Sequence, residues 1–344
     1  MTQRAVVVGL SLLALFWCPV SHADNTALAR IDTFLQRNQA KHAINGLSPA
    51  EKIKLGQTLA LSNRTVSDRL ISRLLNNPVA WEPGPHGREM LRSVIDALPH
   101  VAAIPGAEHA LANACHPNES NFRGFGFELI ASAALMRYRE PDGCRPRVVR
   151  MSAEVRGADG VMRESDGCAV FDGADQLQRL VTMKSVRSEG ALHRSVHKAS
   201  SQLALRNGSQ DPRPGAQIQP GVMMLGYTDP AVLRSAQGKD WKAAANRTGA
   251  KLLVLAVNQL TGEVTKLASE AATTPAPRYT QRQRPSWSDG PRRQAQAGSF
   301  QFRPRLGSLR AGPSVGGPRR LVGGWAPFRS SYPYKASSSS PKRK

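Results

Sequence analysis

E-S-D-G-C-A-V-F-D-G-A-D-Q-L-Q-R-L-V-T-M-K-S, residues 164–185, is the stretch on which the reading of this chain turns. Residues 168–171 and 180–183 are short apolar runs, and Gly173-Ala174-Asp175 between them is turn chemistry, so the segment reads as a β-hairpin. Asp166 opens the first strand and Lys184 closes the second. Antiparallel pairing sets the start of one strand beside the end of the next, which predicts a carboxylate and an ammonium side by side at one sheet edge. Carboxylate oxygens are the ligands that a hard divalent cation takes. A lysine beside them orients a water or stabilises developing negative charge. Glu164 lies two residues before Asp166, on the same side of an extended strand, and offers a further carboxylate.

The flanks extend the pattern. F-G-F-E-L-I-A-S-A-A-L-M-R-Y, residues 125–138, is an apolar helical segment carrying one acid, Glu128. A strand is predicted near 147–156. After the hairpin, Leu192, Val196, Leu203 and Leu205 line a helix over 191–206. That helix also carries His193 and His197 at i and i+4, without the third ligand that a metal motif needs, and Lys198 and Gln202 at the same spacing. Residues 207–220, rich in Gly, Pro and Gln, read as a loop. Residues 222–227 then read as a buried strand, Asp229-Pro230 as a helix start, 251–257 as the strongest strand of the chain and 264–267 as its hairpin return.

In this order the chain resembles the PD-(D/E)XK, or restriction-endonuclease-like, nuclease superfamily over residues 120 to 268. In that family an acid begins one strand, an acid-x-Lys triplet ends the next, and many members add a Glu on the preceding helix. Asp166 matches the first acid, Lys184 the lysine and Glu128 the helical Glu. Thr182-Met183-Lys184 stands where Glu-x-Lys is expected, so Thr182 departs from the pattern at the second acid. The resemblance implies an α+β fold and a phosphodiesterase acting on DNA or RNA with Mg2+ or Mn2+. Glu128, Asp166 and the displaced Glu164 would hold the ion, Lys184 would position the attacking water, and Lys198 and Gln202 would face the phosphate backbone. The alternative is a non-catalytic module of the same fold that binds nucleic acid or another polyanion. Thr182 favours that alternative, because a lost carboxylate removes negative charge from a site that needs it. A third reading is a secreted surface-interaction protein in which the C-terminal segment carries the function.

Composition supports an anionic partner. Lys and Arg number 47 against 25 Asp and Glu, a net charge of +22, and residues 275–344 alone contribute +14. That segment, within a predicted disordered tail over 273–344, holds ten prolines and eight glycines and has too little apolar surface to form a core. Tyr279, Trp287, Phe300, Phe302, Trp325, Phe328, Tyr332 and Tyr334 alternate with its arginines. Arginine pairs with phosphate and aromatic rings stack on bases, so the pattern suits nucleic acid; an anionic lipid surface is served by the same charge.

At the other end Arg4 precedes a 13-residue apolar run, and Ser21 and Ala23 are the small residues of a signal-peptide cut. The run is shorter than the roughly 20 residues of a membrane span. Export with a mature chain starting at Asp24 is therefore expected, with no transmembrane span in it. Of the cysteines remaining after such a cut, Cys115 and Cys144 are the candidate disulfide, tying both flanks of the Glu128 helix, and Cys168 is left over. Three buried free thiols satisfy the sequence equally well. Residues 24–115 read as a helical domain: Leu28, Ile31, Phe34 and Leu35 share a face, Ser48-Pro49-Ala50-Glu51 is a capping box, and Val66, Leu70, Ile71, Leu74 and Leu75 form the next stripe. Residues 116–272 complete the expected organisation as a mixed α/β domain.

Overall fold

The computed structural model describes residues 22–139, 146–152, 154–157, 160–164, 167, 179–210 and 217–273. Residues 1–21 of the signal segment, residues 274–344 of the tail, Asp166, Cys144, Cys168 and all of the hairpin's first strand except Gly167 lie outside the described residues. The fold is α+β, with a helical region preceding a mixed sheet.

Eight helices come first among the described residues: α1 (His22–Arg37), α2 (Lys41–Gly46), α3 (Pro49–Ala60), α4 (Asp68–Leu75), α5 (Pro78–Trp81), α6 (Arg88–Val101), α7 (Ala107–Ala114) and α8 (Glu119–Arg137). Their starts follow local chemistry. Ser48 caps α3 with the expected box: its Oγ accepts from the Glu51 N–H at 3.3 Å, and Glu51 Oε2 accepts from the Ser48 N–H at 2.7 Å. Asn77 caps α5 and Asn118 caps α8. Arg88 then closes on the same Glu51 with two N–H···O bonds of 2.7 Å, so the start of α6 is clamped to the start of α3. The Arg88 guanidinium also lies 5.2 Å over the Trp81 ring.

The sheet follows: β1 (Glu154–Arg156), β2 (Met162–Glu164), β3 (Arg179–Ser185), then helix α9 (Glu189–Leu205), β4 (Ser209–Gln210), β5 (Gln217–Tyr227), helices α10 (Pro230–Gln237) and α11 (Lys242–Thr248), β6 (Leu252–Asn258) and β7 (Val264–Glu270). The long β5 organises it. Its first residues pair antiparallel with β4, which leads on to β1 and β2, and its later ones run parallel to β3 and to β6. Both parallel pairings follow from a crossover through helix, α9 in one case and α10 with α11 in the other. β6 returns antiparallel as β7, the hairpin read from the sequence.

Residues 207–220 differ from their reading as a loop. Ser209 and Gln210 form β4, and 217–220 are the start of β5. The pairing shifts by one residue between Leu180 and Val181, so Gly221 is an extra residue on β5, directly after Pro220. A proline sits tolerably in a strand at such a bulge, where a ladder hydrogen bond is already interrupted. The strand near 147–156 is also shorter than expected, because only its last three residues join β1.

Alternation along the strands sorts the core onto two faces. Val181, Met183, Val222, Met224, Leu253 and Leu255 join the helical region, including Phe127, Ile130 and Leu135 of α8. Leu180, Met223, Leu225, Val254 and Ala256 face Leu192, Val196 and Leu203 of α9 and Trp241 and Ala245 near α11. One core therefore runs across the boundary drawn at residue 115 between a helical and a mixed domain. Gly226 marks where α8 meets the sheet: a Cβ there would collide with the Phe127 ring.

Candidate nucleic-acid interface

Helix α9 has one apolar and one cationic face. Leu192, Val196, Ala199 and Leu203 are buried on the sheet, while His193, Arg194, His197 and Lys198 are exposed. The i, i+4 spacing stacks Arg194 above Lys198 and His193 above His197, with about 6 Å of rise between members of each pair. Arg187, exposed just before the helix, is turned instead towards α8, donating from Nη2 to Ser120 Oγ at 3.1 Å. The acid at this end, Glu189, is hydrogen-bonded to the Ser235 hydroxyl. The result is a row of cations on a rigid element with its long aliphatic stems over a packed helix. Lys198 stands where the sequence put it. Arg194 was missed; its signal was its position opposite the apolar stripe.

Behind α9, Thr182 is fully buried, and its Oγ1–H donates to Gln202 Oε1 at 3.3 Å. Gln202, expected to face a phosphate, thus has its amide oxygen on this hydroxyl. Its carbonyl is turned into the protein and satisfies a buried hydroxyl, as buried polar groups require. The bond also fixes the faces of β3. Thr182 points at α9, and Lys184, two residues on and half-buried, shares its face.

Two of the acids expected around Lys184, Glu128 and Glu164, are among the described residues. Glu128 is buried on α8, the helix that covers the opposite face of the sheet. Glu164, at the end of edge strand β2, is an exposed side chain 3.2 Å from His109 Nε2 on α7. Its backbone carbonyl accepts from Arg206. Asp166 is outside the described residues, although its neighbour Gly167 (φ +81°) lies against Met183 of β3, so closely that a Cβ would strike the thioether. Among the described residues no three of His, Cys, Asp and Glu gather to hold a metal ion.

Cys115 is a free, buried thiol whose Sγ–H donates to the Leu70 carbonyl at 3.4 Å. Burial pushes it up to about 12, against a small opposing effect of Arg73, so it stays protonated and unreactive near neutrality. Its expected partner Cys144 lies outside the described residues. Among the described residues no helix is long and apolar enough to cross a membrane. Comparison with protein-family models, with curated proteins and with solved structures returns no match.

Proposed function

We propose that this is an exported protein that binds nucleic acid without cleaving it, holding the phosphate backbone on the exposed face of α9 and along its basic C-terminal segment. The observation that carries this reading is the geometry of α9. Arg194 and Lys198 stand in solvent on one side, while Thr182 on the other side is sealed and bonded to Gln202. Phosphate contacts from such side chains supply affinity without reading sequence. They also make it salt-dependent, because each one releases condensed counterions. The Arg and aromatic alternation after residue 275 adds stacking to charge.

Anisotropy titrations of single- and double-stranded oligonucleotides over a salt series test the proposal. Replacing both Arg194 and Lys198 by Gln should weaken binding and lower the log–log salt slope by roughly 1.4 to 1.8, at about 0.7 to 0.9 per phosphate contact. An unchanged slope would remove α9 from the interface. Incubation with Mg2+ or Mn2+ separates binding from catalysis: metal-dependent cutting that Asp166→Ala or Lys184→Ala abolishes would replace this reading with the nuclease one.

A further inference from the structure

A second cluster of cations lies among the helices, and none of the α9 residues contributes to it. Lys54 on α3, Asp96 and His100 on α6, Arg137 in the last turn of α8, and Thr261 and Gly262 between β6 and β7 line a cleft of about 150 Å³. The cleft is held in shape. Lys54 Nζ donates to Asp96 Oδ1 at 2.6 Å, joining α3 to α6. Ser93 Oγ–H donates to the Leu260 carbonyl at 2.6 Å, which ties the β6–β7 turn to α6. Gly262 has φ +69°, and a Cβ on it would stand 2.9 Å from Arg137 Nη2, so the turn closes directly on the guanidinium.

The charges do not balance. Asp96 answers Lys54, and Arg137 has no hydrogen bond or ion pair among the described residues. Two cationic side chains and the His100 imidazole therefore line the cleft with one carboxylate. We propose that this cleft is a binding site for one small oxyanion, a phosphate or a carboxylate group, held by Arg137, Lys54 and His100. Arg137 is suited to this because its planar fork matches two oxygens at once. Size limits the ligand: the volume is well below the roughly 300–1,000 Å³ of clefts that enclose drug-sized molecules. It admits a single charged group with its nearest atoms and excludes a whole nucleotide.

His100 gives the site a pH dependence of known sign. Burial lowers the pKa of its ring, the charges of Arg137 from α8 and Lys54 from α3 lower it further, and Asp96 on its own helix opposes them. The β6–β7 turn brings only Thr261 and Gly262 to the lining, so it adds no titratable group there. A bound anion reverses the local field and favours the imidazolium. Binding then takes up a proton, and affinity rises as the pH falls through the His100 titration, by the reciprocity of linked equilibria.

The test is an NMR titration of the full chain that follows the His100 ring proton, assigned with His100→Asn, while inorganic phosphate, sulfate or acetate is added. Phosphate and sulfate should raise the His100 midpoint by roughly one pH unit, a tenfold linkage, and Arg137→Gln should weaken that binding about tenfold, the loss of one charge-assisted contact. Acetate matching sulfate identifies a carboxylate ligand, and sulfate exceeding acetate a phosphate-type one. Arg137→Lys, which keeps the charge and loses the fork, should fall between wild type and Arg137→Gln. A His100 midpoint unmoved by all three anions, or equal binding by wild type and Arg137→Gln, would overturn the proposal.

Discussion

Glu51 is only 3 % exposed, and its neighbours explain how it remains ionised. Burial by itself would raise its pKa, but hydrogen bonds from Arg88 and from the Ser48 backbone and hydroxyl, with the Arg88 charge, outweigh it and hold the carboxyl at about 2. The ordinary value in an unfolded chain is 4.5, so the folded group is the stronger acid. Its contribution to stability is complete above the unfolded value and disappears as the pH falls from about 4.5 towards 2. Wild type should therefore lose up to about 3 kcal/mol across that window, at about 1.4 kcal/mol per pKa unit. Glu51→Gln should be less stable at neutral pH and nearly flat over the same range in denaturant titrations. Thr182 supplies the other residue-scale prediction. Thr182→Val keeps the shape and removes the donor to Gln202, so it should cost about 1 kcal/mol, the net worth of such a bond. Nucleic-acid affinity should be unchanged in the same variant, because Thr182 is sealed from solvent. A loss of affinity larger than the loss of stability would show that the Thr182–Gln202 bond reaches the interface.

At the scale of elements, the order of helices and strands follows from a few local rules. Asp229 caps α10, its Oδ1 accepting from the Ala231 N–H at 2.8 Å, with Pro230 at the first helical position. Asp229→Ala should cost about 1 kcal/mol in urea unfolding, the usual worth of an N-cap. A cost near zero would mean that packing of Val232 and Ala236 sets the start of the helix without the cap. α9 was read from Leu192, Val196 and Leu203, and β6 from an unbroken apolar run, because each element repeats its period over enough residues to be unambiguous. β4 was not legible. Two residues between Gly208 and a proline-rich stretch carry no period, and they become a strand only because β5 and β1 lie on either side to receive their hydrogen bonds.

The whole molecule divides by composition into a chain that folds and a basic segment that follows it. Removing residues 275–344 takes away +14 of the +22 net charge, and the apolar cores among the described residues are built before residue 275. The truncated chain should melt at the same temperature as the full one. Its nucleic-acid affinity should fall and its salt slope flatten, because fewer counterions are released. Unchanged binding would place the whole interface on the folded part. The N-terminal segment leads to a separate measurement: Edman or mass-spectrometric sequencing of the exported protein should begin at Asp24. An intact Met1 would remove the export expectation.

The sequence by itself determined the fold class, the element order around α8, β3, α9 and β5, the capping of α3 and the charge of the whole. These are properties of single segments: a period, a cap, a count. The tertiary structure decided which side chains meet. Thr182 was read as the departure from an acid-x-Lys pattern because it stands two residues before Lys184, and the α9 helix packed above β3 made it the partner of Gln202. The two-sided sheet put the apolar residues of α8 and of α9 on opposite faces. Lys54, His100 and Arg137 carry no mutual signal along the chain and converge because α3, α6 and α8 pack side by side under one turn. Periodicity and capping act over a few neighbouring residues and can be read in order. Convergence depends on how the layers stack, which no local stretch encodes.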